Sequence, residues 1–226
     1  MDIVLVHGAW CAGWIWSDVA ELLRGQGRRV HVIDQLPSGG GEPVPLGDLT
    51  DDAAYLRRVL DDLGTEVMLV GHSYGGMVIT ELADHPGVRH SVYLTAFWPR
   101  KGQTLLDIRS EHTVEWLVAG ADGTLRLTDD ETVARQVLAA DLDVERFADL
   151  HRRRTAQSIT SFTTASSAPR RPHSTTYVIC ARDESIFVAE QEKMAAQADR
   201  VLRLDAPHLA PLSRSREVAA VLLDIA

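Results

Sequence analysis

Cysteine is scarce in this sequence. Only Cys11 and Cys180 occur among its 226 residues. Two cysteines do not predict a disulfide framework, which small secreted domains use to compensate for a limited core. We therefore expect the protein to work in a reducing compartment, the cytoplasm.

Long apolar runs are also missing. No run approaches the ~20 apolar residues that a helix needs to span a bilayer. The chain begins Met1-Asp2 and continues directly into the strand-like run Ile3-Val4-Leu5-Val6, so no secretory signal peptide is visible. These features predict a protein that has no membrane partner.

Positive charge is in deficit. The chain has 23 Lys and Arg residues against 32 Asp and Glu residues, which gives a formal net charge of −9. A general nucleic-acid binder needs a basic face to neutralise phosphates, and this balance argues against that role. Two short basic runs, residues 152–154 and 170–171, are better interpreted as solvated surface.

Sequence motifs for common cofactors and metals are absent. There is no pair of histidines at helical spacing with a carboxylate, no Gly-x-Gly-x-x-Gly after a strand and no Gly-Lys-Ser/Thr phosphate loop. Gly39-Gly40-Gly41 lacks both the lysine and the following helix of a phosphate loop. We expect no metal and no cofactor. A small-molecule substrate is the expected partner, and a homodimer is left open.

Residues 67–78 contain the pattern that most clearly indicates chemistry. An apolar run, residues 67–70, leads into Gly71-His72-Ser73-Tyr74-Gly75, and an apolar helix follows. A serine at a sharp strand-to-helix corner needs small neighbours, and the free N–H groups of the new helix would face charge that develops during acyl transfer. Ser73 is therefore the predicted nucleophile.

Strand-like apolar runs alternate with helical patterns along most of the chain. The predicted strands are residues 3–6, 30–33, 67–70, 91–94, 176–180 and 200–204. This alternation predicts an α/β fold in which a mostly parallel six-stranded sheet has helices on both faces.

Residues 99–172 break the alternation. They show helical patterns at residues 105–119, 130–140 and 144–157 and a loop-like piece at 158–168, with no convincing strand. We expect residues 1–98 and 173–226 to form the core. Residues 99–172 should form a small helical cap over the carboxyl ends of the strands, where such sheets bind ligands.

A serine nucleophile needs a base and an acid that orients the base. His208 is the best candidate base, because it follows the last predicted strand and so lies at the carboxyl edge of the sheet. Asp183 follows the fifth strand and is the best candidate acid, with Glu184 as its rival. The chain order Ser73, Asp183, His208 is the order expected for a nucleophile on this kind of sheet.

The oxyanion of acyl transfer needs two backbone N–H donors. One should come from Tyr74, which follows the nucleophile, and the other from Ala9 in the loop after the first strand. Gly8 lets that loop turn. We expect His7 to fix the loop by a hydrogen bond and His72 to point away from the serine.

Together these motifs resemble the α/β-hydrolase superfamily. Within it, they resemble the plant methylesterases, the hydroxynitrile lyases and their bacterial carboxylesterase relatives. The matching stretches are residues 6–10, 70–76, 93–99, 177–180 with Asp183 and Ile186, and 208–213. The resemblance implies an α/β-hydrolase fold with the insertion as a cap over Ser73.

The resemblance also bears on the reaction. The lyases carry a threonine at the position of Gly8 and a lysine at the position of Leu209, where the lysine places positive charge near the leaving cyanide. Leucine cannot supply that charge, so the resemblance favours ester hydrolysis over cyanohydrin cleavage.

The leading hypothesis is a serine carboxylesterase that acts on a small or medium apolar ester, such as a methyl ester or lactone. The residues expected to line its substrate pocket are Trp10, Phe97, Trp98, Leu105 and Ile186. Two alternatives stay open. The same site could catalyse a biosynthetic cyclisation, decarboxylation or carbon–carbon cleavage with His208 as acid and base. The fold could also serve as a non-catalytic receptor for a small molecule.

Overall fold

Strands recur throughout the computed structural model, which describes residues 1–40, 46–109 and 116–226. In chain order the strands are β1 (Asp2–Val6), β2 (Val30–Val32), β3 (Gly39–Gly40), β4 (Val67–Ser73), β5 (Val88–Ala96), β6 (Leu117–Ala119), β7 (Thr124–Leu127), β8 (Ala156–Ser158), β9 (Ser174–Cys180) and β10 (Arg200–Leu204).

Helices occupy most of the intervals between these strands. After a one-turn 3-10 helix at Gly13–Trp16, they are α1 (Ser17–Gly25), α2 (Leu49–Leu63), α3 (Gly75–Glu81), α4 (Leu105–Ile108), α5 (Glu131–Ala139), α6 (Val144–Arg152), α7 (Ile159–Thr163), α8 (Val188–Ala195), α9 (Ala210–Ser213) and α10 (Ser215–Ile225). In the described ranges, no helix has the length and apolar composition required to cross a membrane.

The central sheet is parallel, with its six strands in the order β10-β9-β5-β4-β1-β2. In β1, the side chains of Ile3, Val4, Leu5 and Val6 are all fully buried. Successive side chains of a strand point to opposite faces, so both faces of the sheet are covered. This double burial explains why the strands read as continuous apolar runs. The predicted α/β fold with a six-stranded sheet is confirmed.

A second, smaller sheet was not anticipated from the sequence. Strands β6, β7 and β8 pair antiparallel inside the predicted cap, and β8 also pairs with β3 from the core segment. The prediction that residues 99–172 contain helices without strands is therefore wrong. Strands of two to four residues are too short to show an alternating pattern, and β3 and β8 meet from distant parts of the chain.

The helices predicted for the cap are partly confirmed. Helices α5 and α6 fall within the predicted ranges 130–140 and 144–157, although the second range also contains β8. The predicted helix at 105–119 holds α4 and then β6, while its residues 110–115 lie outside the described residues. The predicted loop at 158–168 contains α7.

The corner between β4 and α3 depends on glycines that have no room for a side chain. A Cβ added at Gly71 would lie 2.7 Å from the carbonyl oxygen of Gly75. A Cβ at Gly75 would lie 2.8 Å from the carbonyl oxygen of Val6, and one at Gly76 would overlap the carbonyl oxygen of Phe97. The helix can therefore approach β1 and the end of β5 only because these positions lack side chains.

Replacing Gly76 with alanine is expected to lower the free energy of unfolding by about 2–3 kcal/mol, the upper part of the range for overpacked sites. The obstructing atom is a backbone oxygen and cannot rotate away. Urea denaturation with linear extrapolation measures the change. Gly25→Ala is the matched control, because a Cβ there meets nothing within 4 Å. Its effect should stay within about 1 kcal/mol, and equal destabilisation by both substitutions would contradict this interpretation.

Candidate active site

Ser73 ends strand β4 at the corner that leads into α3. Its φ angle is +53°, in the left-handed region that residues other than glycine rarely adopt. The pairing register with β5 also shifts between His72 and Ser73. This is the strained strand-to-helix turn that the Gly-x-Ser-x-Gly pattern predicts.

His208 lies within hydrogen-bond distance of Ser73. The distance between His208 Nε2 and Ser73 Oγ is 3.0 Å, and both residues are buried. His208 follows β10, while Ser73 ends β4, and the carboxyl ends of parallel strands lie at the same edge of the sheet. The fold thus brings the predicted base to the predicted nucleophile.

The opposite nitrogen of the His208 ring contacts Asp183. The distance between His208 Nδ1 and Asp183 Oδ2 is 2.7 Å. A carboxylate only accepts hydrogen bonds, so Nδ1 carries the proton, and Nε2 is left to accept the hydroxyl hydrogen of Ser73. This arrangement sets up the imidazole as a base toward the serine.

The Asp183 carboxylate is itself held by several donors. Its Oδ1 accepts the backbone N–H groups of Ser185 at 2.7 Å and Ile186 at 2.9 Å, and its Oδ2 accepts the hydroxyl of Thr95. Thr95 has a φ angle of +39° at the end of β5, the same edge of the sheet. The sequence interpretation did not single out Thr95, although its place at a strand end was a usable signal. The rival acid Glu184 is exposed to solvent.

Two further histidines, His72 and His7, bond to backbone carbonyls next to the site. His72 Nε2 donates to the backbone carbonyl of His208 at 2.9 Å, and the two ring centroids lie 4.8 Å apart. Burial holds the pKa of His72 well below its ordinary value, so the ring is neutral and can act as this donor. His7 Nδ1 bonds to the Gly8 carbonyl at 2.8 Å, as predicted, and burial lowers its pKa to about 4. The contact between His72 and His208 was not predicted.

The predicted oxyanion donors, Ala9 and Tyr74, lie in the two loops that border Ser73. Tyr74 follows the serine directly, and a Cβ added at Gly8 would lie only 2.7 Å from Ser73 Cβ. Both residues are buried, and within the described part of the chain neither backbone N–H donates to another protein group. Buried N–H groups without partners are rare, and a pair beside a nucleophile suits developing negative charge.

Aromatic rings lie beside the two loops that hold the predicted oxyanion donors. The Trp10 ring lies 5.4 Å from Trp116 and 5.7 Å from Phe162, and the Tyr74 ring lies 5.9 Å from Phe162. Trp10 also fixes the neighbouring sheet, because its Nε1 donates to the carbonyl of Leu125 in β7 at 2.9 Å. Trp116 and Phe162 belong to the inserted segment and were not anticipated, since nothing local in the sequence marks them as neighbours of the oxyanion loops.

The predicted pocket residues divide into two groups. Phe97 and Ile186 adjoin Ser73 and Asp183 through their backbones, because Phe97 N–H donates to the Ser73 carbonyl at 3.1 Å and Ile186 N–H donates to Asp183. Leu105 is buried at the start of α4, which packs against α7. Trp98 packs elsewhere: its ring stacks on Tyr93 with centroids 4.0 Å apart.

The predicted nucleophile and base are largely shielded from solvent. Ser73 is 6% exposed and His208 is 3% exposed. A cavity of about 10 Å³ beside His208 is lined by Ala9, Trp10, His72 and Leu209, among others, and has room for about one water molecule. Larger hollows of about 350 and 810 Å³ lie at α8 and α1. Of the predicted pocket residues, Trp98 lines the first of them.

Two other kinds of chemistry have little support at this site. Cys11 lines the same small cavity, but burial raises the pKa of its thiol to about 12, so it is not available as a thiolate nucleophile. Among the residues that the structure describes, no group of three or more His, Cys, Asp or Glu side chains could hold a metal ion.

Residues 3–221 match the model of the alpha/beta hydrolase family. The carbendazim hydrolyzing esterase of Nocardioides sp. (strain SG-4G) is 44% identical over 112 residues, which make up 46% of this chain and 46% of that protein. Methylesterase 2 of Arabidopsis thaliana is 35% identical over 103 residues, 42% of this chain and 39% of that protein. Each alignment spans less than half of the relative's length.

The fold is shared over almost the whole chain with a solved structure. The pyrethroid hydrolase from Sphingobium faniae JZ-2 has a TM-score of 0.84 and 24% identity, and the match covers 99% of this chain and 96% of that one. At this identity the likeness shows a common fold.

The hydrogen bond between His208 and Asp183 is expected to give a far-downfield signal in the proton NMR spectrum. A proton held between an imidazole nitrogen and a carboxylate oxygen 2.7 Å apart is strongly deshielded. The signal should disappear in Asp183→Asn and persist in Glu184→Gln, because Glu184 is exposed. Survival of the signal in Asp183→Asn would show that another group orients the ring.

Proposed function

The chain belongs to the alpha/beta hydrolase family, and on that basis we propose that it is a serine carboxylesterase that hydrolyses a small or medium apolar ester, methyl esters and lactones included. The observation that supports this most directly is the pair of hydrogen bonds that runs from Asp183 through His208 to Ser73 Oγ. Such an arrangement activates a serine nucleophile. The names of two relatives, an esterase and a methylesterase, agree with ester hydrolysis.

In the proposed acylation step, His208 Nε2 takes the hydroxyl proton of Ser73 as Oγ forms a bond to the ester carbonyl carbon. The carbonyl oxygen becomes an oxyanion and accepts the N–H groups of Ala9 and Tyr74. Asp183 stabilises the imidazolium cation and keeps the ring oriented. The bond between carbon and the alcohol oxygen then breaks, and His208 gives its proton to the departing alcohol.

Deacylation repeats the same steps with water as the nucleophile. His208 takes a proton from water, the hydroxyl adds to the acyl carbon, and the bond from that carbon to Ser73 Oγ breaks as the serine regains its proton. The free acid then leaves. The small enclosed space beside His208 suits a water molecule at this stage, since the bulk of the alcohol has departed.

The apolar residues around the site favour an apolar ester. Trp10 and Leu209 line the cavity beside His208, Trp116 and Phe162 pack against Trp10, and all four are buried and uncharged. Arg154 also lines that cavity, and its guanidinium pairs with Asp129. Leu209 stands directly after the base, where the lyases that this chain resembles place a lysine. Leucine cannot stabilise a departing cyanide, and the contact between Gly8 and Ser73 leaves no space for a threonine side chain. These features argue for hydrolysis over cyanohydrin cleavage.

Ser73→Ala is expected to reduce hydrolysis of p-nitrophenyl acetate by at least about 10³-fold, because the substitution removes the oxygen on which the proposed acyl-enzyme forms. A fluorophosphonate probe should label the native protein and leave the variant unlabelled. Initial rates and intact-mass spectrometry provide the two measurements. Ser17→Ala is the matched control, since that hydroxyl, among the described residues, bonds within its own turn to the Trp14 carbonyl at 3.0 Å.

Each remaining outcome points to another function. Unchanged turnover in pure Ser73→Ala protein would contradict the esterase proposal. Activity on a cyclisable or decarboxylating substrate without labelling of Ser73 would favour non-hydrolytic chemistry that uses His208 alone. A stable complex with a small molecule, without turnover, would favour a receptor.

Shortening Phe162 is expected to change substrate size preference. Phe162→Leu removes ring atoms that face Trp10 and Tyr74, so kcat/KM for p-nitrophenyl octanoate relative to the acetate should rise by roughly tenfold. Phe147→Leu is the control, because this equally buried ring in α6 packs on His151. The same rise in both variants would indicate general loosening, and no rise in either would place the acyl chain away from Phe162.

A further inference from the structure

Asp52, in α2, is a buried carboxylate that the proposed mechanism does not use. Its side chain is fully buried, and no cation among the described residues forms an ion pair with it. Burial raises its pKa to about 6. An apolar residue would avoid the cost of burying a charge at this position. The presence of a carboxylate therefore indicates that the hydrogen bonds it accepts have a role.

Three donors meet on this carboxylate. Its Oδ1 accepts the backbone N–H of Ser38 at 2.8 Å. Its Oδ2 accepts the hydroxyls of Ser38 at 2.5 Å and of Tyr74 at 2.6 Å. Burial holds the pKa of Tyr74 well above its ordinary value, so the phenol keeps its proton and acts as the donor.

Tyr74 is thereby held at both ends. Its backbone follows Ser73 and carries one of the two proposed oxyanion N–H groups, while its hydroxyl is fixed to Asp52 in a different helix. The N–H contributes to catalysis only if it points at the oxyanion with an error of a few tenths of an ångström. A hydrogen bond at the far end of a rigid aromatic side chain restricts the rotation of that whole residue.

The same network reaches the inserted segment. Gln157 in β8 donates from Nε2 to the hydroxyls of Ser38 at 2.8 Å and Ser161 at 2.7 Å. Ser158 N–H also donates to the Ser38 carbonyl at 2.8 Å. Phe162, next along α7, packs its ring against Tyr74. The segment that covers the site and the oxyanion loop are therefore tied to one carboxylate.

We propose that Asp52 is a positioning residue for the oxyanion hole: it fixes Tyr74 through the phenolic hydroxyl and couples that residue to the covering segment through Ser38 and Gln157. The inference rests on the proposed esterase function, because it assigns a role to Tyr74 N–H in acyl transfer. Asp52 touches no reacting atom, and it acts by holding the donor in place.

Two variants test this role, with one matched control. Tyr74→Phe removes the hydroxyl and keeps the ring, and Asp52→Asn keeps the shape of the acceptor and removes its charge. Tyr93→Phe is the control, because it deletes an equally buried phenolic hydroxyl that bonds to Thr80 at 3.0 Å instead of to Asp52. If Asp52→Asn does not fold, Tyr74→Phe carries the test alone.

Four quantities separate positioning from a purely structural role. They are kcat per serine titrated with a fluorophosphonate, KM, the inhibition constant of a trifluoromethyl ketone, and that of the product acid. The ketone forms a tetrahedral adduct whose oxyanion needs the N–H donors, whereas the product acid reports ground-state binding. Thermal unfolding of each variant gives the accompanying loss of stability.

Tyr74→Phe and Asp52→Asn are expected to lower kcat per titrated serine by about tenfold. They should also raise the inhibition constant of the trifluoromethyl ketone by a similar factor. KM and product binding should stay within about twofold, and Tyr93→Phe should change only the melting temperature. Unchanged kcat and ketone binding would overturn the proposal. The proposal would also be overturned if, at an equal loss of stability, Tyr93→Phe lost as much kcat and ketone affinity as Tyr74→Phe and Asp52→Asn.

The test also distinguishes this inference from the proposed function. If the native protein is not labelled at Ser73 and hydrolyses no ester, the esterase proposal fails, and the positioning role fails with it. If the native protein is labelled and active while both variants keep full activity, the esterase proposal stands and only the role of Asp52 is wrong.

Discussion

The structure depends on one tight constraint, a serine in left-handed backbone between a strand and a helix that nearly touch. A residue other than glycine in that conformation costs about 1–3 kcal/mol and persists only where its surroundings over-determine it. Here Ser73 is followed by Gly75 and Gly76, at which any Cβ would meet the backbone of β1 or the residue that follows β5. The packed sheet therefore holds the corner in place. The strained serine is supported by buried strands on both sides.

Every other part of the site follows from the direction of those strands. Because the six strands are parallel, the residues that follow β9 and β10 come to the edge where β4 ends, and this brings Asp183 and His208 to Ser73. The groups that contact Asp183 and His208 mainly fix the orientation of these two side chains. Thr95 holds the acid, and the neutral ring of His72 holds the backbone of the base. A buried imidazole then has one tautomer and one direction in which to accept a proton.

The sequence allowed these core features to be predicted, because their signals are local. Buried strands read as continuous apolar runs, and a nucleophile corner needs glycines at fixed spacing around Ser73. The features that were missed are pairings between distant segments. Strand β8 pairs with β3, and Phe162 packs against Trp10 and Tyr74. In the sequence, Asp52 looks like any other polar residue of the amphipathic helix α2. Its proposed role becomes visible only in the structure, where the Tyr74 hydroxyl donates to it. Hydrophobic periodicity carries no information about which loop a short strand will meet.

The enclosure of the site connects these missed contacts to chemistry. Hydrogen bonds to an oxyanion are stronger where water is excluded, because less solvent screens the developing charge. Trp10 lines the space of about 10 Å³ beside His208, and its ring packs against Trp116 and Phe162 of the inserted segment. Phe162 packs on Tyr74, whose backbone would bind the oxyanion. In the proposed reaction, a substrate that displaces Phe162 would also move the residue that carries an oxyanion donor, so that fit in the pocket and stabilisation of the transition state would depend on one set of contacts.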